Sequence, residues 1–256
     1  MRNNLLIDLD GTLYRGDEPI PEAKEFVGKL QRGSVPFLLL TNCPLNSPRL
    51  LSEKLSKMEI FVPPERILTS GSACVQYLAE KFPEETVLVI GSESFLDLAV
   101  THGLRLWKNE TEIPKAVAVG YAPELDYEQL SLASHYLRNG AVFLATNGDA
   151  AIPSGERLVP HTGAVVEYLK TASGKTPLII GKPYAYMLNS ALKQLGCKKE
   201  ECLVLGDGLS TDYAFAVRNG LGYRIVLTGV TTREEAYSYG VPPDKLLESL
   251  LALTFS

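Results

Sequence analysis

Short apolar runs alternate with amphipathic segments along almost the whole 256-residue chain, and this alternation restricts the fold more than any other feature. Residues 5–9 form an apolar run broken by Asp8, and residues 35–40 a near-continuous one, as expected of strands covered on both faces. Between them, residues 21–31 predict a helix, with Pro21 at its start and Ala23, Phe26, Val27 and Leu30 at helical spacing. Ser47-Pro48 supplies a cap and a first-turn proline for a helix running to about Met58, and residues 67–69 give a third strand. Strand, helix, strand, helix, strand implies a parallel sheet with crossover helices. The pattern continues with strands expected at 87–90, 116–119, 142–145, 178–180, 203–205 and 223–227. Further helices are expected at 72–81, 95–102, 127–139, 163–171, 184–195, 212–219, 233–239 and 244–251.

Composition then removes whole classes. With 45% hydrophobic and 21% charged residues the chain can bury a sizeable core, which excludes a disordered protein. Its apolar runs fall far short of the roughly 18 residues a membrane helix needs. Asp8 and Asp10 follow the first residues too closely for a signal-peptide apolar region. A net charge of −5 argues against nucleic acid as the main partner, because phosphate backbones select basic surfaces. Cys43, Cys74, Cys197 and Cys202 make no disulfide framework, His102, His135 and His161 are scattered, and no Cys-x-x-Cys occurs, so zinc has no support. Cys74 and Cys202 lie in apolar stretches and read as reduced core residues. A soluble, cytoplasmic protein is expected, of one large domain or two unequal ones at roughly 150 residues per domain.

The chemistry concentrates at strand ends. Asp8-Leu9-Asp10-Gly11-Thr12 closes the first run, and in an extended chain positions 8 and 10 face the same way, which brings two carboxylates together. They repel unless a cation or a shared proton relieves them. An Asp-Gly turn ending a strand is the other reading. Gly206-Asp207-Gly208-Leu209-Ser210-Thr211-Asp212 follows another apolar run, so Asp207 would emerge at the same sheet edge. Three converging carboxylates suit a hard cation such as Mg²⁺; a helix start capped by Ser210 or Thr211, with Asp212 complementing the dipole, is the alternative. Thr41-Asn42 and Gly181-Lys182-Pro183 add a hydroxyl, an amide and an ammonium group, which orient and neutralise a phosphate. Ser173-Gly174-Lys175-Thr176 is no P-loop, because Leu169 occupies the required upstream glycine position.

In this order the four elements resemble the motifs of the haloacid dehalogenase superfamily. More closely, the chain resembles the NagD and p-nitrophenyl phosphatase branch, through residues 10–17, Thr41-Asn42, Ser47-Pro48, Ala145-Thr-Asn-Gly-Asp149, Ile180-Gly-Lys-Pro183 and Leu227-Thr-Gly-Val230. The resemblance implies a Rossmann-like parallel-sheet α/β core, discontinuous over residues 1–70 and 181–256, with an inserted α/β cap at 71–180. It implies a Mg²⁺-dependent phosphatase of small phosphorylated metabolites, with no nucleic acid or membrane partner and with homodimer formation left open. Asp8 would be the nucleophile forming an aspartyl-phosphate, and Asp10 the acid and base. Mg²⁺ would be held by the Asp8 carboxylate, the Asp10 carbonyl and Asp207. Thr41, Asn42, Lys182 and the amides around Leu9–Gly11 would bind phosphoryl oxygens, and Asp212 would orient Lys182 or a metal-bound water. Cap loops would face the catalytic residues, with Asn147 and Asp149 as substrate contacts or a plain Asn-Gly turn. His161 and Tyr14 are further candidates to reach substrate, with a surface histidine and a partly buried tyrosine as the alternative readings. Cys43 and Gly208 depart from the family pattern, Gly208 leaving local space. Phosphoryl transfer, as in a mutase, and a non-catalytic phospho-acceptor module are the rival readings, although Asp10 favours turnover over a stored signal.

Overall fold

The computed structural model describes residues 4–109, 111–154 and 157–254, which divide into two compact units. The first comprises residues 4–41, 48–68 and 182–254; the second comprises 42–47 and 69–181. The boundaries fall at 68/69 and 181/182, against the expected 70/71 and 180/181. Residues 42–47 belong with the second unit because its side chains hold their backbone. The Asn42 carbonyl accepts hydrogen bonds from Ser70 Oγ at 2.6 Å and Asn147 Nδ2 at 2.8 Å, and the Leu45 carbonyl accepts one from Ser92 Oγ at 3.3 Å.

The first unit is built on a six-stranded sheet in the order Leu246–Leu247, Gly222–Val226, Cys202–Gly206, Asn4–Asp8, Phe37–Thr41 and Ile67–Thr69. Leu5, Leu6 and Ile7 are all buried, as the near-continuous apolar run requires of a strand covered on both faces. Each such side chain is worth roughly 1.5–3 kcal/mol in burial. Helix Ala23–Arg32 turns Ala23, Phe26, Val27 and Leu30 inward, and these pack with Leu5, Ile7, Leu39 and Leu205. The helix begins at Ala23 because Pro21 and Glu22 form the turn before it.

Sheet order explains where a ligand can sit. The chain leaves strand Asn4–Asp8 toward Phe37–Thr41 on one side, and later returns to Cys202–Gly206 on the other. Both neighbours are parallel, with Ile7 opposite Leu205 and Asp8 opposite Leu40. A crevice opens at such a reversal of strand order, beyond the carboxyl ends of the strands. The residues that follow are Asp8 to Thr12 and Asp207.

The second unit has its own parallel five-stranded sheet, in the order Leu178–Ile179, Val142–Ala145, Ala116–Val119, Thr86–Ile90 and Arg105–Leu106. Helices Tyr127–Arg138 and Thr162–Ser173 cover it through Ala133, Tyr136, Leu137, Val166 and Leu169. Helix Ser70–Lys81 begins two residues before its expected start, since Thr69 Oγ1 accepts the Ser72 N–H and Ser72 Oγ accepts the Thr69 N–H, both at 2.9 Å. No helix among the described residues is long and apolar enough to cross a membrane.

Two expected helices are corrected. Residues 244–251 do not form one: a short turn Pro243–Lys245 leads into strand Leu246–Leu247, then a second turn, Leu250–Ala252. Leu246 packs with Ile225 and Val241 while Leu247 packs with Leu205 and Val226, so successive leucines point to opposite faces, a period of two hidden in a leucine-rich segment. The expected helix at 212–219 starts earlier and is broken, with one wide π-type turn, Leu209–Tyr213, before the α-helix Ala214–Asn219. Two antiparallel hairpins were unexpected, Tyr14–Arg15 with Glu18–Pro19 and Ala151–Ser154 with Arg157–Pro160.

Candidate active site

Asp8, Thr41 and Asp207 emerge at the carboxyl ends of central strands of the first unit. Asp8 ends strand Asn4–Asp8, Thr41 ends Phe37–Thr41, and Asp207 follows Cys202–Gly206. Lys182 reaches into the same place from the loop before helix Ala185–Leu195. Its Nζ donates to Asp8 Oδ1 at 2.5 Å and to Asp212 Oδ1 at 2.6 Å, and lies 3.5 Å from the Leu40 carbonyl. Lys182 and Asp212 are almost wholly buried and Asp8 is nearly so, with 12% of its side chain exposed. Asp10 is exposed, its Oδ1 accepting a long bond from Gly16 N at 3.4 Å.

The π-type turn accounts for Asp212. It lets Asp212 N and Tyr213 N both donate to the Gly208 carbonyl, at 2.8 and 3.0 Å, while Asp212 Oδ2 accepts the Gly208 N–H at 3.0 Å. No Ser210 or Thr211 cap forms there. Such turns concentrate at functional sites because they aim a side chain that a regular helix would misplace.

Asp207 is positioned by a loop that sequence reasoning did not assign to the site. Val230 N donates to Asp207 Oδ2 at 2.7 Å, and Thr231 Oγ1 donates to the Asp207 carbonyl. The same loop is held from the other side, by Thr228 Oγ1 donating to the Gly11 carbonyl at 2.9 Å and by Arg15, whose guanidinium reaches the Thr228 and Gly229 carbonyls at 2.6 and 3.1 Å. Glycine is required on both sides. A Cβ at Gly11 or at Gly229 would occupy the space of the Asp207 carboxylate, and Gly11 also holds φ +84°, a conformation other residues resist. Gly208 leaves no spare room either, since a Cβ there would overlap Thr211 Oγ1. The Gly16-Asp17 pair between Tyr14–Arg15 and Glu18–Pro19 is the sequence signal that could have disclosed Arg15, being a recognisable two-residue hairpin turn.

The electrostatics are those of crowded acids with one counter-charge. Burial, then the neighbouring Asp212, hold the Asp8 carboxyl well above the usual carboxylate range despite Lys182. Burial likewise pushes Asp207 up to about 6, although the Val230 N–H favours its ionised form. Burial would strip Lys182 of its proton, but Asp212 and Asp8 outweigh it and raise the ammonium above its ordinary value. Carboxylate oxygens of Asp8, Asp207 and Asp212 lie within 4.8 Å of one another. Buried oxygen donors carrying more negative charge than one lysine offsets are the donor set a hard divalent cation takes.

In the second unit Asn147 is fully buried, and both ends of its amide are engaged: Nδ2 on the Asn42 carbonyl, Oδ1 on the Asp149 N–H at 3.0 Å. Asp149 Oδ2 accepts a long bond from Asn42 Nδ2 at 3.4 Å. Asn42 is thus hydrogen-bonded to residues of the second unit, to which it belongs. His161 is not the surface histidine expected; it is 3% exposed and stacks on Tyr121 with ring centres 4.8 Å apart. Tyr14 is buried, with Lys54 Nζ 4.5 Å above its ring. Cys43 is half-buried and Cys74 fully buried, burial pushing the Cys74 thiol up to about 12.

This strand order and this set of acids define a class, and comparison with known proteins bears it out. A model described as haloacid dehalogenase-like hydrolase matches residues 5–105, and a second model of the same class matches 179–253. The chain is 36% identical over 238 residues to a Staphylococcus aureus protein named acid sugar phosphatase, covering 93% of this chain and 91% of that one. A thermostable NPPase from Geobacillus stearothermophilus, solved as a double mutant, is 34% identical with a TM-score of 0.91, over 100% of both chains. NagD from E. coli K-12 is 26% identical with a TM-score of 0.90, over 99% of this chain and 98% of that one. The chain belongs to the haloacid dehalogenase-like hydrolases, in their NagD-like branch.

Proposed function

We propose that this protein is a Mg²⁺-dependent phosphatase that hydrolyses small phosphomonoesters, sugar phosphates foremost, through an aspartyl-phosphate on Asp8. The observation that carries the reading is the gathering of Asp8, Lys182, Asp207 and Asp212 where the sheet reverses its strand order. The substrate class is supported by the relative named acid sugar phosphatase and by the NPPase.

Asp8 attacks phosphorus, and the leaving oxygen departs as Asp10 gives it a proton. Asp10 is suited to that exchange because it is exposed and two residues beyond the nucleophile. It then takes a proton from the water that hydrolyses the acyl phosphate. Lys182, buried and kept charged by its two acids, neutralises phosphoryl oxygens, and Asp212 fixes it in place. Thr41 and the amides of Leu9, Asp10 and Gly11 complete the cradle. Asp8, the Asp10 carbonyl and Asp207 would hold Mg²⁺, which supplies charge neutralisation between an anionic nucleophile and an anionic substrate. Asn147 and Asp149 act by fixing the segment that begins at Asn42.

The test is phosphate release from a panel of sugar phosphates, nucleoside monophosphates and p-nitrophenyl phosphate, with Mg²⁺ and with EDTA. Asp8→Asn is expected to abolish release while leaving far-ultraviolet circular dichroism unchanged. Retained turnover in that variant would sink the assignment, and product analysis separates free phosphate from a transferred phosphoryl group.

A further inference from the structure

Cys197 and Cys202 lie in the first unit, outside the acidic site, with Sγ atoms 3.6 Å apart. Helix Ala185–Leu195 ends at Gly196, whose φ of +64° turns the chain so that Cys197 N donates back to the Leu192 carbonyl at 3.3 Å. One short turn, Lys199–Glu201, then delivers Cys202, the first residue of strand Cys202–Gly206. The two sulfurs are in van der Waals contact, and a disulfide, at about 2.05 Å, requires them to close by roughly 1.5 Å. The two thiols are unequal. Cys197 is half-buried, between exposed Gly196 and Lys198, while Cys202 is 4% exposed and its Sγ lies 3.5 Å from the Lys198 carbonyl.

We propose that Cys197 and Cys202 form a reversible redox pair, in which a hydroperoxide oxidises Cys197 to a sulfenic acid that Cys202 resolves as a disulfide. In the first step the Cys197 thiolate attacks the terminal peroxide oxygen, the O–O bond breaks, and the alcohol, or water from hydrogen peroxide, leaves with a proton. In the second, Cys202 sulfur gives up its proton, attacks the Cys197 sulfur and displaces hydroxide, which departs as water. Two thiols and one hydroperoxide become one disulfide, one alcohol and one water. Burial pushes the Cys202 thiol up to about 12, so the more exposed Cys197 is the thiol that meets the hydroperoxide first.

The bond would join the end of helix Ala185–Leu195 to the start of strand Cys202–Gly206. The opposite ends of these elements present Lys182 and Asp207. The disulfide therefore braces that helix and strand from the side remote from the acids.

The experiment treats the full chain with hydrogen peroxide and counts free thiols, which are expected to fall from four to two. Trypsin, cutting after Lys198 and Lys199, should leave the Cys197 and Cys202 peptides joined until dithiothreitol releases them. Oxidation should raise the thermal midpoint reversibly, by about 5 °C. Cys197→Ser, a change at a half-buried position that spares the core, should lose none of its remaining thiols over the same interval and show no midpoint shift. Persistence of all four thiols, a cross-link through Cys43, or Cys197 over-oxidised beside a free Cys202 thiol would each overturn the proposal. A cross-linked protein with an unchanged midpoint would overturn the bracing role.

Discussion

Lys182→Met is the perturbation that most directly examines the electrostatic logic of the site. Methionine keeps the length of the side chain and removes its charge, leaving Asp8 and Asp212 with no cation between them. Their oxygens lie within 4.8 Å, so two ionised carboxylates at an effective dielectric of 20 would repel by about 3 kcal/mol. That agrees with the roughly 3–5 kcal/mol lost when one partner of a buried pair is removed. Asp8 can escape the repulsion by binding a proton, so its folded-state titration, already raised, moves further above the unfolded value. A group raised in the folded state favours folding below its unfolded pKa and loses that advantage as pH rises through the folded one. The variant should therefore be less stable than the wild type by about 3–5 kcal/mol at pH 8, with the difference shrinking toward pH 5. Urea unfolding followed by circular dichroism across that range measures it. Adding Asp212→Asn should restore most of the stability and none of the phosphate release. If Lys182→Met matched the wild type at pH 8 and showed the same pH slope, the picture of one buried lysine balancing crowded acids would be wrong.

Two other substitutions probe separate parts of the structure. Gly229→Ala places a methyl where the Asp207 carboxylate sits, costing the charge-assisted bond from Val230 N, about 1.5–3 kcal/mol. Isothermal titration with Mg²⁺ should show affinity about 10- to 100-fold weaker, whereas Gly148→Ala, which meets only an ordinary contact with Ile179, should leave it unchanged. Burial holds the His161 imidazole below its ordinary value of 6.5, with Asp149 opposing. The folded state resists the proton that the unfolded chain accepts, so stability is full above pH 6.5 and falls as pH drops toward the lowered folded value. Thermal midpoints measured from pH 7.5 to 5 should fall for the wild type and stay flatter for His161→Gln.

Much of this architecture can be read from the chain because parallel strands buried on both faces are written as uninterrupted apolar runs. Strands Ala116–Val119 and Val142–Ala145 have the limits expected of them. Strand Leu246–Leu247 was hidden because four leucines within residues 246–251 satisfy helical and alternating spacing alike, and only sheet pairing with Ile225 and Val226 decides between them. The acids of the site were visible as polar residues interrupting or ending apolar runs. The loop that aims Asp207 was not, since Val230 acts through its backbone N–H and Gly229 through a missing side chain. His161 misled because a polar residue beside a proline reads as surface, whereas stacking on Tyr121 is a contact that no local pattern encodes.

The placement of strand Asn4–Asp8 between Phe37–Thr41 and Cys202–Gly206 also fixes when the site can exist during synthesis. Asp8 and its lysine are separated by 174 residues. At about 5–20 residues per second, a ribosome takes roughly 10–35 s to pass from one to the other. Through that interval the strand ending in Asp8 has at most one of its two sheet partners, and neither Lys182, Asp207 nor Asp212 has been made. The second unit, completed by residue 181, can by then have buried its own core. A nascent chain therefore carries Asp8 for most of its synthesis without Lys182, Asp207 or Asp212 beside it.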